Sequence, residues 1–301
     1  MRISARFLAI AVITATMAAP VVSQDRQGEV DRRSDKELIT LLGSEIPTER
    51  LDAAKVLGAR GEKMLPALLG AIKSDDWRVR RGVTDALIAM GPAAKPAVPA
   101  LLGAIEDENA WVRDGAAEAL GKTQDTSPEV VAALAKACED KNNWVRFMAI
   151  GALRRATEDP EILVPAAIKL LNVPDTFARD RGGAVNVLKE HGKGHKGSIP
   201  ALLRVIDHPS EGMFSPTGGA LDALLACGAE DKVVLDALMR LGKSDLWAHR
   251  STAVSLLARL GPKARPAIAF IKNLAENDPH PKSRGAAGRA LDQLTNPSPR
   301  K

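Results

Sequence analysis

Aromatic side chains are scarce in this 301-residue chain, which has four tryptophans, five phenylalanines and no tyrosine. Hydrophobic residues nevertheless make up 45% of the sequence, so a core has to be built mainly from Ala, Leu, Ile and Val. Side chains of this size suit the narrow space between packed helices. The composition therefore favours helical layers held together by small aliphatic residues.

Cysteine and an excess of one charge are also missing. Cys138 and Cys227 are the only cysteines, too few for the disulfide framework of a small exported domain. The 42 basic and 37 acidic residues give a formal charge of +5. This mixed, mildly basic surface falls short of the concentrated positive charge typical of nucleic-acid binding. We therefore expect no nucleic-acid partner.

The one long apolar run opens the chain. Arg2 and Arg6 precede an apolar segment from Phe7 to Ala19 that is too short to span a bilayer comfortably. Cleavage after Ser23 would remove residues 1–23 as a signal peptide. The pattern predicts a secreted or periplasmic protein with no membrane span after removal of the leader, and no later run is expected to reach spanning length. A leader retained as an anchor is the alternative.

A repeated helical pattern fills the rest of the chain. In its clearest copy, residues 107–121, Ala and Leu follow Arg113 at helical spacing, and we call the position of Arg113 the anchor. A small apolar residue stands three positions after each anchor and a leucine seven positions after it. Eight anchors recur 30 to 36 residues apart, at Arg50, Arg80, Arg113, Arg146, Arg181, Thr217, Arg250 and Arg284. The chain is therefore a repeat protein.

Each repeat has room for two helices. The anchor helix is expected to end at a glycine, at Gly58, Gly91, Gly121, Gly192, Gly228 or Gly261. The second helix is expected to open with a proline, at Pro66, Pro99, Pro165, Pro200 or Pro266. An acidic or serine residue six positions before each anchor, such as Asp107 or Asp140, is expected to cap the next anchor helix.

These signals divide the chain into an array and its flanks. Residues 34–294 are predicted to form the repeat array, after a flexible linker at residues 24–33 and before a disordered tail at residues 295–301. Ser34 and Glu37 predict a capping box on a short helix that covers the first repeat. The two cysteines lie about three repeats apart, too far to pair at roughly 10 Å per helix layer, and should be buried thiols.

The string Asp-x-x-x-x-Val-Arg-x-x-Ala-Ala-x-Ala-Leu-Gly of residues 107–121 resembles the short HEAT-like repeats of the phycobilisome-lyase (PBS lyase) type. Residues 91–102 and 261–266 are similar to the turn between the two helices of that family. The resemblance covers residues 46–294 and implies an all-α fold, an α-solenoid with a right-handed superhelix of about eight two-helix repeats. Such repeats serve many tasks, so the resemblance leaves function open.

The resemblance also raises two enzyme functions. Some relatives attach bilin chromophores, and some HEAT-like proteins are iron-dependent hydroxylases that hold metal through His-Glu pairs. None of the five histidines here is followed by Glu, and Glu190-His191 has the reverse order. His191 and His195 could bind a metal only with a third ligand, which the sequence near them lacks. With no catalytic motif either, we expect a protein that is not an enzyme and holds no metal or cofactor.

Seven of the eight anchors are arginines: Arg50, Arg80, Arg113, Arg146, Arg181, Arg250 and Arg284. Because they recur in every layer, we expect them to form a structural ladder of charge-assisted hydrogen bonds between repeats. The pattern is interrupted at Thr217, and paired glycines stand inside two anchor helices, at Gly182-Gly183 and Gly218-Gly219. These departures predict either a hinge or a closer approach of helices.

Two sets of side chains are candidates for binding a partner. An aromatic stripe along one edge consists of the tryptophans two or three positions before an anchor: Trp77, Trp111, Trp144 and Trp247. It is either wedged between repeats or exposed as a recognition edge. The second helices line the concave face in HEAT-like arrays and carry Lys136, Lys169, Arg204, Arg240 and Lys272. These form either a basic column for an acidic partner or an ordinary solvated face.

We therefore interpret the chain as an exported, non-catalytic scaffold or adaptor that binds a protein partner through its concave face or its aromatic edge. An accessory of an enzyme, similar to the chromophore lyases or the metal-dependent hydroxylases, is the alternative. A nucleic-acid-binding helical repeat is a second alternative, which the weak net charge and the leader both disfavour.

Overall fold

The computed structural model describes residue 30 and residues 32–173, 178–209 and 216–296, although not the side chains of residues 178–180. This part of the chain is helical and contains no strand. The anchor helices are α2 (Pro47–Ala59), α4 (Trp77–Met90), α6 (Ala110–Lys122), α8 (Asn143–Ala156), α10 (Ala178–His191), α12 (Thr217–Ala226), α14 (Trp247–Arg259) and α16 (Pro281–Thr295). The second helices are α3 (Leu65–Ala71), α5 (Val98–Ala104), α7 (Pro128–Ala137), α9 (Pro160–Asn172), α11 (Ser198–Asp207), α13 (Asp231–Leu241) and α15 (Ile268–Asn277). Helix α1 (Asp35–Leu41) precedes them.

The helices stack in a continuous array around one core. The small residue three positions after the anchor is buried in all eight repeats, from Ala53 to Ala287. The leucine seven positions after the anchor is buried from Leu57 to Leu257, and Leu291 packs against the core from its edge. The structure thus confirms the all-α solenoid and the register of its anchor helices. Within the described residues the eighth repeat consists of α16 alone.

The first end of the array is closed by α1. The predicted capping box is present, because the Ser34 N–H donates to Glu37 Oε2 at 2.8 Å and the Glu37 N–H donates to Ser34 Oγ at 3.3 Å. Val30 is buried, and Arg60 Nη2 donates to the Arg33 carbonyl at 2.7 Å. The end of the predicted linker is therefore packed on the array. The predicted signal peptide, residues 24–29 of the linker and residues 297–301 of the tail lie outside the described residues.

Only three of the six glycines that were predicted to end an anchor helix do so. Gly91, Gly228 and Gly261 adopt the left-handed φ values of 66°, 79° and 58° at the ends of their helices. Gly58 and Gly121 instead lie within helices, where a Cβ would come within 2.6 Å of Ala89 Cβ or 2.7 Å of Ala152 Cβ in the next anchor helix. Gly192 likewise has no left-handed φ, and a Cβ there would lie 2.9 Å from Cys227 Sγ. These three glycines allow neighbouring anchor helices to approach closely.

The anchor helices form the inner layer of the array. Through most of the stack, successive anchor helices contact one another more extensively than successive second helices do. A two-layer stack curves towards the layer whose members are closer together. The expectation that the second helices line the concave face is therefore wrong, because Gly and Ala at the contacts between anchor helices draw that layer together.

One junction departs from this packing. Helices α12 and α14 lack the extensive contact that joins the other successive anchor helices. A Cβ added to Gly218 would have as its nearest neighbours Arg259 Nη1 at 3.6 Å and Leu256 Cδ2 at 4.0 Å, and both atoms lie far out on long side chains. Gly183 and Gly219, in contrast, face Ile150 and Val185 of the preceding anchor helices at 2.9 and 3.3 Å. The second glycine of each pair thus permits close approach, and the wide junction lies after α12.

The turns before the anchor helices also differ from the prediction. The N-cap lies four positions before the anchor, and its side chain accepts a backbone N–H two residues on, as at Asn109 and Asn142. The acid six positions before the anchor, Asp107 or Asp140, instead accepts the N–H of that Asn at 2.8 or 2.7 Å. These acids therefore hold the turn and do not cap the helix.

Two further expectations need correction. Pro165 lies inside α9, which begins at Pro160. The run Trp77–Ala104 has 28 residues and contains an 18-residue window with a mean hydropathy of 1.3, so it is long and apolar enough to cross a membrane by length and composition, although no such run was expected after the leader. Gly91 ends α4 within this run, and the 3₁₀ segment Gly91–Ala97 separates α4 from α5, so in this fold it forms the two helices of one repeat.

Candidate interaction surfaces

The anchor arginines form the predicted ladder between repeats. Each resolved pair is bidentate, with Nε and Nη2 of the arginine donating to both oxygens of an aspartate in the next turn. The pairs are Arg80 with Asp107, Arg113 with Asp140, and Arg250 with Asp278, at 2.6–2.9 Å. Nη1 of each arginine also donates to a carbonyl in its own turn at 2.8–3.0 Å. Each rung therefore ties two successive turns together.

The charges in the ladder stabilise one another. Hydrogen bonding to Asp140 raises the pKa of Arg113, although partial burial opposes the charge. Hydrogen bonds from Arg250 lower the pKa of Asp278 well below its ordinary value of 3.8, with help from Ser283 and against the effect of burial. Both shifts favour the charged form of the side chain, in line with a structural role.

The other anchors also donate to backbone carbonyls. Arg50 donates to the Ser44 carbonyl at 2.6 Å, but the next turn offers Ser74 in place of an aspartate. Arg146 and Arg284 donate to the carbonyls of Asp140 and Asp278 in their own turns, both at 2.8 Å, and Arg181 reaches the His208 carbonyl. At the α12–α14 junction, Thr217 replaces the arginine and Ser244 replaces the acid.

The basic residues of the second helices are engaged with neighbours. Lys136 Nζ lies 2.7 Å from Glu106 Oε1, and Lys169 Nζ lies 2.9 Å from Glu139 Oε1. Arg204 donates to the side-chain oxygen of Asn172, Arg240 pairs with Asp207, and Lys272 lies near the carboxylate of Glu276. Four of these five contacts are exposed ion pairs, which contribute little to stability. The basic column is thus a row of mixed charge on the outer layer.

The tryptophans fall into two classes. Trp111 is 53% exposed and Trp144 is 40% exposed. Trp77 packs against the core and lies under the Arg78 guanidinium, 5.3 Å from its ring centroid. The half-buried Trp247 stacks on His280 with centroids 4.5 Å apart and an interplanar angle of 8°. Both interpretations of the stripe therefore apply, to different members: the rings are exposed in α6 and α8 and packed in α4 and α14.

The two exposed rings belong to one duplicated unit. Asn109-Ala110-Trp111-Val112-Arg113 and Asn142-Asn143-Trp144-Val145-Arg146 share the pattern Asn-x-Trp-Val-Arg, which occurs only in these two repeats. In both, the Asn side-chain oxygen accepts the backbone N–H of the Trp at 2.9 Å. Phe147 braces the second ring edge-on, with centroids 6.3 Å apart. We call this surface the Trp-Asn edge.

A buried charge cluster beside this edge was missed by the sequence reasoning. Arg81 Nη1 donates to the Trp111 carbonyl at 2.7 Å and to Asp114 Oδ2 at 2.8 Å, and its Nη2 lies 3.0 Å from Asp85 Oδ1. Burial raises the pKa of both Asp85 and Asp114. The signal was present, because Arg81 and Asp114 carry opposite charges at equivalent positions of successive anchor helices. The cluster fixes the first turn of α6, and with it the position of Trp111.

The histidines and cysteines that were considered as metal ligands or reactive groups do not come together in one site among the described residues. Among the described residues no group of three or more His, Cys, Asp or Glu side chains could hold a metal ion. His195 Nε2 lies 3.8 Å from Glu161 Oε1, and His191 lies next to Glu190 at 3.9 Å, so each histidine has its own carboxylate. Cys138 and Cys227 are free and buried, as predicted, and burial raises the pKa of the Cys138 thiol to about 12.

Comparison with known proteins supports this fold. A family model of HEAT repeats matches residues 36–121 and 98–172, whereas a search of curated proteins finds no match. YibA of Escherichia coli is 16% identical with a TM-score of 0.60, over 91% of this chain and 97% of that chain. Kap95 in its complex with Nup1 is 15% identical with a TM-score of 0.59, over 91% of this chain and 42% of that chain. At these identities the likeness shows the fold alone.

The complex of CpcE and CpcF of phycocyanin lyase from Nostoc is 22% identical, over 75% of this chain and 93% of that chain, with a TM-score of 0.41.

Proposed function

Because residues 36–172 are HEAT repeats and the same stacked helices continue to α16, we propose that this protein is a non-catalytic scaffold that binds a protein partner. The observation that carries the proposal is the exposure of Trp111 and Trp144 at equivalent positions of neighbouring repeats. The anchor leucines and alanines already fill the core, so these rings are not needed to build it.

Exposed tryptophan is a favourable feature for binding. Tryptophan is enriched among the few interface residues that supply most of the binding free energy, because a large flat ring buries much area at little entropic cost. Isolated exposed apolar residues need no explanation, but two rings held one layer apart by matching Asn caps form a repeated surface. This surface therefore favours partner binding over a purely structural role for the two rings.

The outer row of basic residues is a weaker candidate. A partner that approached Lys169 or Arg204 would have to compete with Glu139 or Asn172, which already engage these side chains.

We also propose that residues 1–23 direct export, so that the protein meets its partner outside the cytoplasm. Detection of mature protein beginning at Gln24 would support this localisation.

The test is a capture experiment with the purified chain immobilised and an envelope extract as the source of partners. The double variant Trp111→Ala/Trp144→Ala is compared with Lys169→Glu/Arg204→Glu and with Leu225→Ala, which removes a similarly exposed apolar side chain, 39% exposed, from a different part of the array. We expect one partner to be retained by the parent and by Leu225→Ala and lost by the tryptophan variant.

Two results would contradict the proposal. A partner lost only with Lys169→Glu/Arg204→Glu would place binding on the outer row. Equal capture by all four proteins would leave no role for either surface. Circular dichroism of each variant checks that the helices remain intact.

A further inference from the structure

The two ends of the array differ. At the first end α1 covers the first repeat, and Arg60 holds the segment before α1 through the Arg33 carbonyl at 2.7 Å. At the other end no helix follows α16 within the described residues. A repeat array needs its ends closed, either by a polar outer face or by another element. The outer face of α16 therefore shows whether a further chain is required there.

Inside the array, one face of each anchor helix receives the next anchor helix. The residue four positions after the anchor lies on this face, as Ile150 does opposite Gly183, where a Cβ would stand 2.9 Å away. The residue eight positions after the anchor lies there too, as Gly121 does opposite Ala152 at 2.7 Å. The anchor arginine completes the face, because it pairs with an aspartate of the next turn.

In α16 the same three positions are Arg284, Gly288 and Asp292, and this face is bare. Arg284 and Asp292 are exposed, and no atom lies within 4 Å of the place of a Cβ on Gly288. Among the contacts of the described residues, the Asp292 carboxylate and the Nε and Nη2 groups of Arg284 have no partner. The surface that would receive a ninth repeat thus carries one free base and one free acid.

The guanidinium of Arg284 is already held as in a rung of the ladder. Its Nη1 donates to two carbonyls of its own turn at 2.8 and 3.3 Å, as Nη1 of Arg80, Arg113 and Arg250 does. In those three repeats Nε and Nη2 hold both oxygens of an aspartate in the next layer. Because the same contacts fix Arg284, its free edge is directed to where a next layer would stand, ready for a carboxylate.

A second copy of α16 supplies that carboxylate. Arg284 and Asp292 lie four positions to either side of Gly288. When two α16 helices pack antiparallel about a two-fold axis at Gly288, residue 284 of each copy lies opposite residue 292 of the other, so two ion pairs form together. Glycine at the crossing permits a close approach, as Gly58 and Gly121 do within the array. No described neighbour of Gly288 requires glycine, and alanine would favour the helix.

The other charged residues of α16 lie away from this face. At 3.6 residues per turn, Gly288 and Asp292 lie about 40° and 80° around the helix from Arg284, whereas Arg289 lies about 140° around. Lys282 extends over the ring of Trp247, 5.1 Å from its centroid. The face centred on Gly288 therefore has one charge of each sign and is complementary to itself.

Going beyond the proposed function, we propose that two copies of this chain associate through their open ends, with α16 packed antiparallel on α16 of the second copy. Gly288 lies at the two-fold axis, and Arg284 of each copy pairs with Asp292 of the other. The dimer carries two copies of the Trp-Asn edge, so that a partner with two binding segments is held at two points.

The first test measures the oligomeric state of the full chain by sedimentation equilibrium. Concentrations up to about 0.5 mM are used, because a contact between single helices belongs to the small, weak class of interfaces. We expect a monomer–dimer equilibrium. Arg284→Asp and Asp292→Arg should each weaken the dimer about tenfold or more, because two ion pairs become two like-charge contacts. The double variant Arg284→Asp/Asp292→Arg should restore the dimer to within about threefold.

A matched control changes the same charge elsewhere. The Lys55 side chain in α2 is 67% exposed, and Lys55→Asp should leave the dimer unchanged. Circular dichroism of every variant checks that the helices remain intact. Recovery in the double variant cannot come from repaired folding, because neither side chain has a described partner side chain within its own copy.

A cysteine cross-link tests the position of the axis. In the proposed dimer residue 288 lies against its own copy, whereas residue 282 lies about 18 Å from its own copy along the helices. Under mild oxidation Gly288→Cys should therefore give a disulfide-linked dimer and Lys282→Cys should not. Cys138 and Cys227 are buried, so the introduced thiol is the accessible one.

Several outcomes would overturn the inference. They are a chain that stays monomeric at every concentration, a dimer that the charge variants leave unchanged, a double variant that fails to recover, and equal cross-linking at residues 282 and 288. Species that grow beyond the dimer would indicate stacking of α16 on α1 of the next copy and would also overturn it. Capture of a partner through Trp111 and Trp144 is measured with other variants, so the scaffold proposal and the dimer proposal fail separately.

Discussion

Replacement of Arg113 by alanine is the sharpest test of how the array is held together. Arg113 is 6% exposed, makes two hydrogen bonds to Asp140 and donates to the carbonyls of Asp107 and Glu108. Its removal leaves the Asp140 carboxylate, itself largely buried, with only the N–H of Asn142 as a donor. Breaking a buried pair on one side costs about 3–5 kcal/mol, so we expect a loss of that order in the free energy of unfolding.

The same substitution at Arg50 is the matched control. Arg50 occupies the equivalent anchor position, but it donates to the Ser44 carbonyl and faces Ser74 where other repeats have an aspartate. Loss of such a hydrogen bond costs about 1 kcal/mol. Arg113→Lys should fall between the two, because lysine keeps the charge but cannot make the bidentate contact.

Urea unfolding followed by circular dichroism measures all three variants. Because a solenoid can unfold in parts, native-state hydrogen exchange of amides in α6 and α8 should accompany it. Equal losses for Arg113→Ala and Arg50→Ala, or no loss of exchange protection near Asp140, would refute the view that the rungs join the repeats.

Three further predictions use other parts of the chain. Thr217→Arg combined with Ser244→Asp should supply the missing rung and raise the free energy of unfolding by about 1.5–3 kcal/mol relative to the sum of the two single changes; additive effects would show that the junction is too wide for it. Iodoacetamide labelling should reach Cys227 before Cys138 as urea is raised, because α12 lacks close contact with α14; the reverse order would contradict a weak junction. Asp278→Asn should destabilise the protein at pH 5–7, and its cost should shrink below about pH 4, because an acid with a lowered pKa stabilises the fold above its unfolded value of 3.8 and loses that effect as the pH falls; a cost independent of pH would show that the charge is not responsible.

Much of the fold could be predicted because the repeat multiplies weak signals. One Ala-Leu pattern after one arginine is ambiguous, but eight copies in register identify the anchor helices and their buried faces. The ladder could be predicted for the same reason, since an arginine and an aspartate that recur at fixed separation have to meet in every layer. With a 33-residue period, the aspartate six positions before one anchor lies 27 residues after the previous anchor, and this is the separation of Arg80 and Asp107, which the structure pairs.

The predictions that were wrong concern features that depend on distances between helices. A local sequence pattern does not contain those distances. Gly58 and Gly121 resemble helix stops in sequence, yet their function is to admit the next anchor helix. The same close approach turns the anchor layer inward and puts Lys169 and Arg204 on the outside. The difference between the exposed Trp111 and the packed Trp247 also depends on the neighbouring side chains, because Trp247 stacks on the His280 ring and Trp111 has no such ring beside it among the described contacts.

The wide junction after α12 divides the array into two closely packed segments that meet at one weakly packed joint. Six repeats on one side and two on the other are each stiffened by close helix contacts, whereas the α12–α14 contact is held by side chains such as Arg259, which pairs with Asp222. At about 10 Å per layer, the longer arm extends roughly 50–60 Å from the joint. A rotation of about 10° there would carry the far end of that arm through about 10 Å, a displacement as large as one whole repeat of the array.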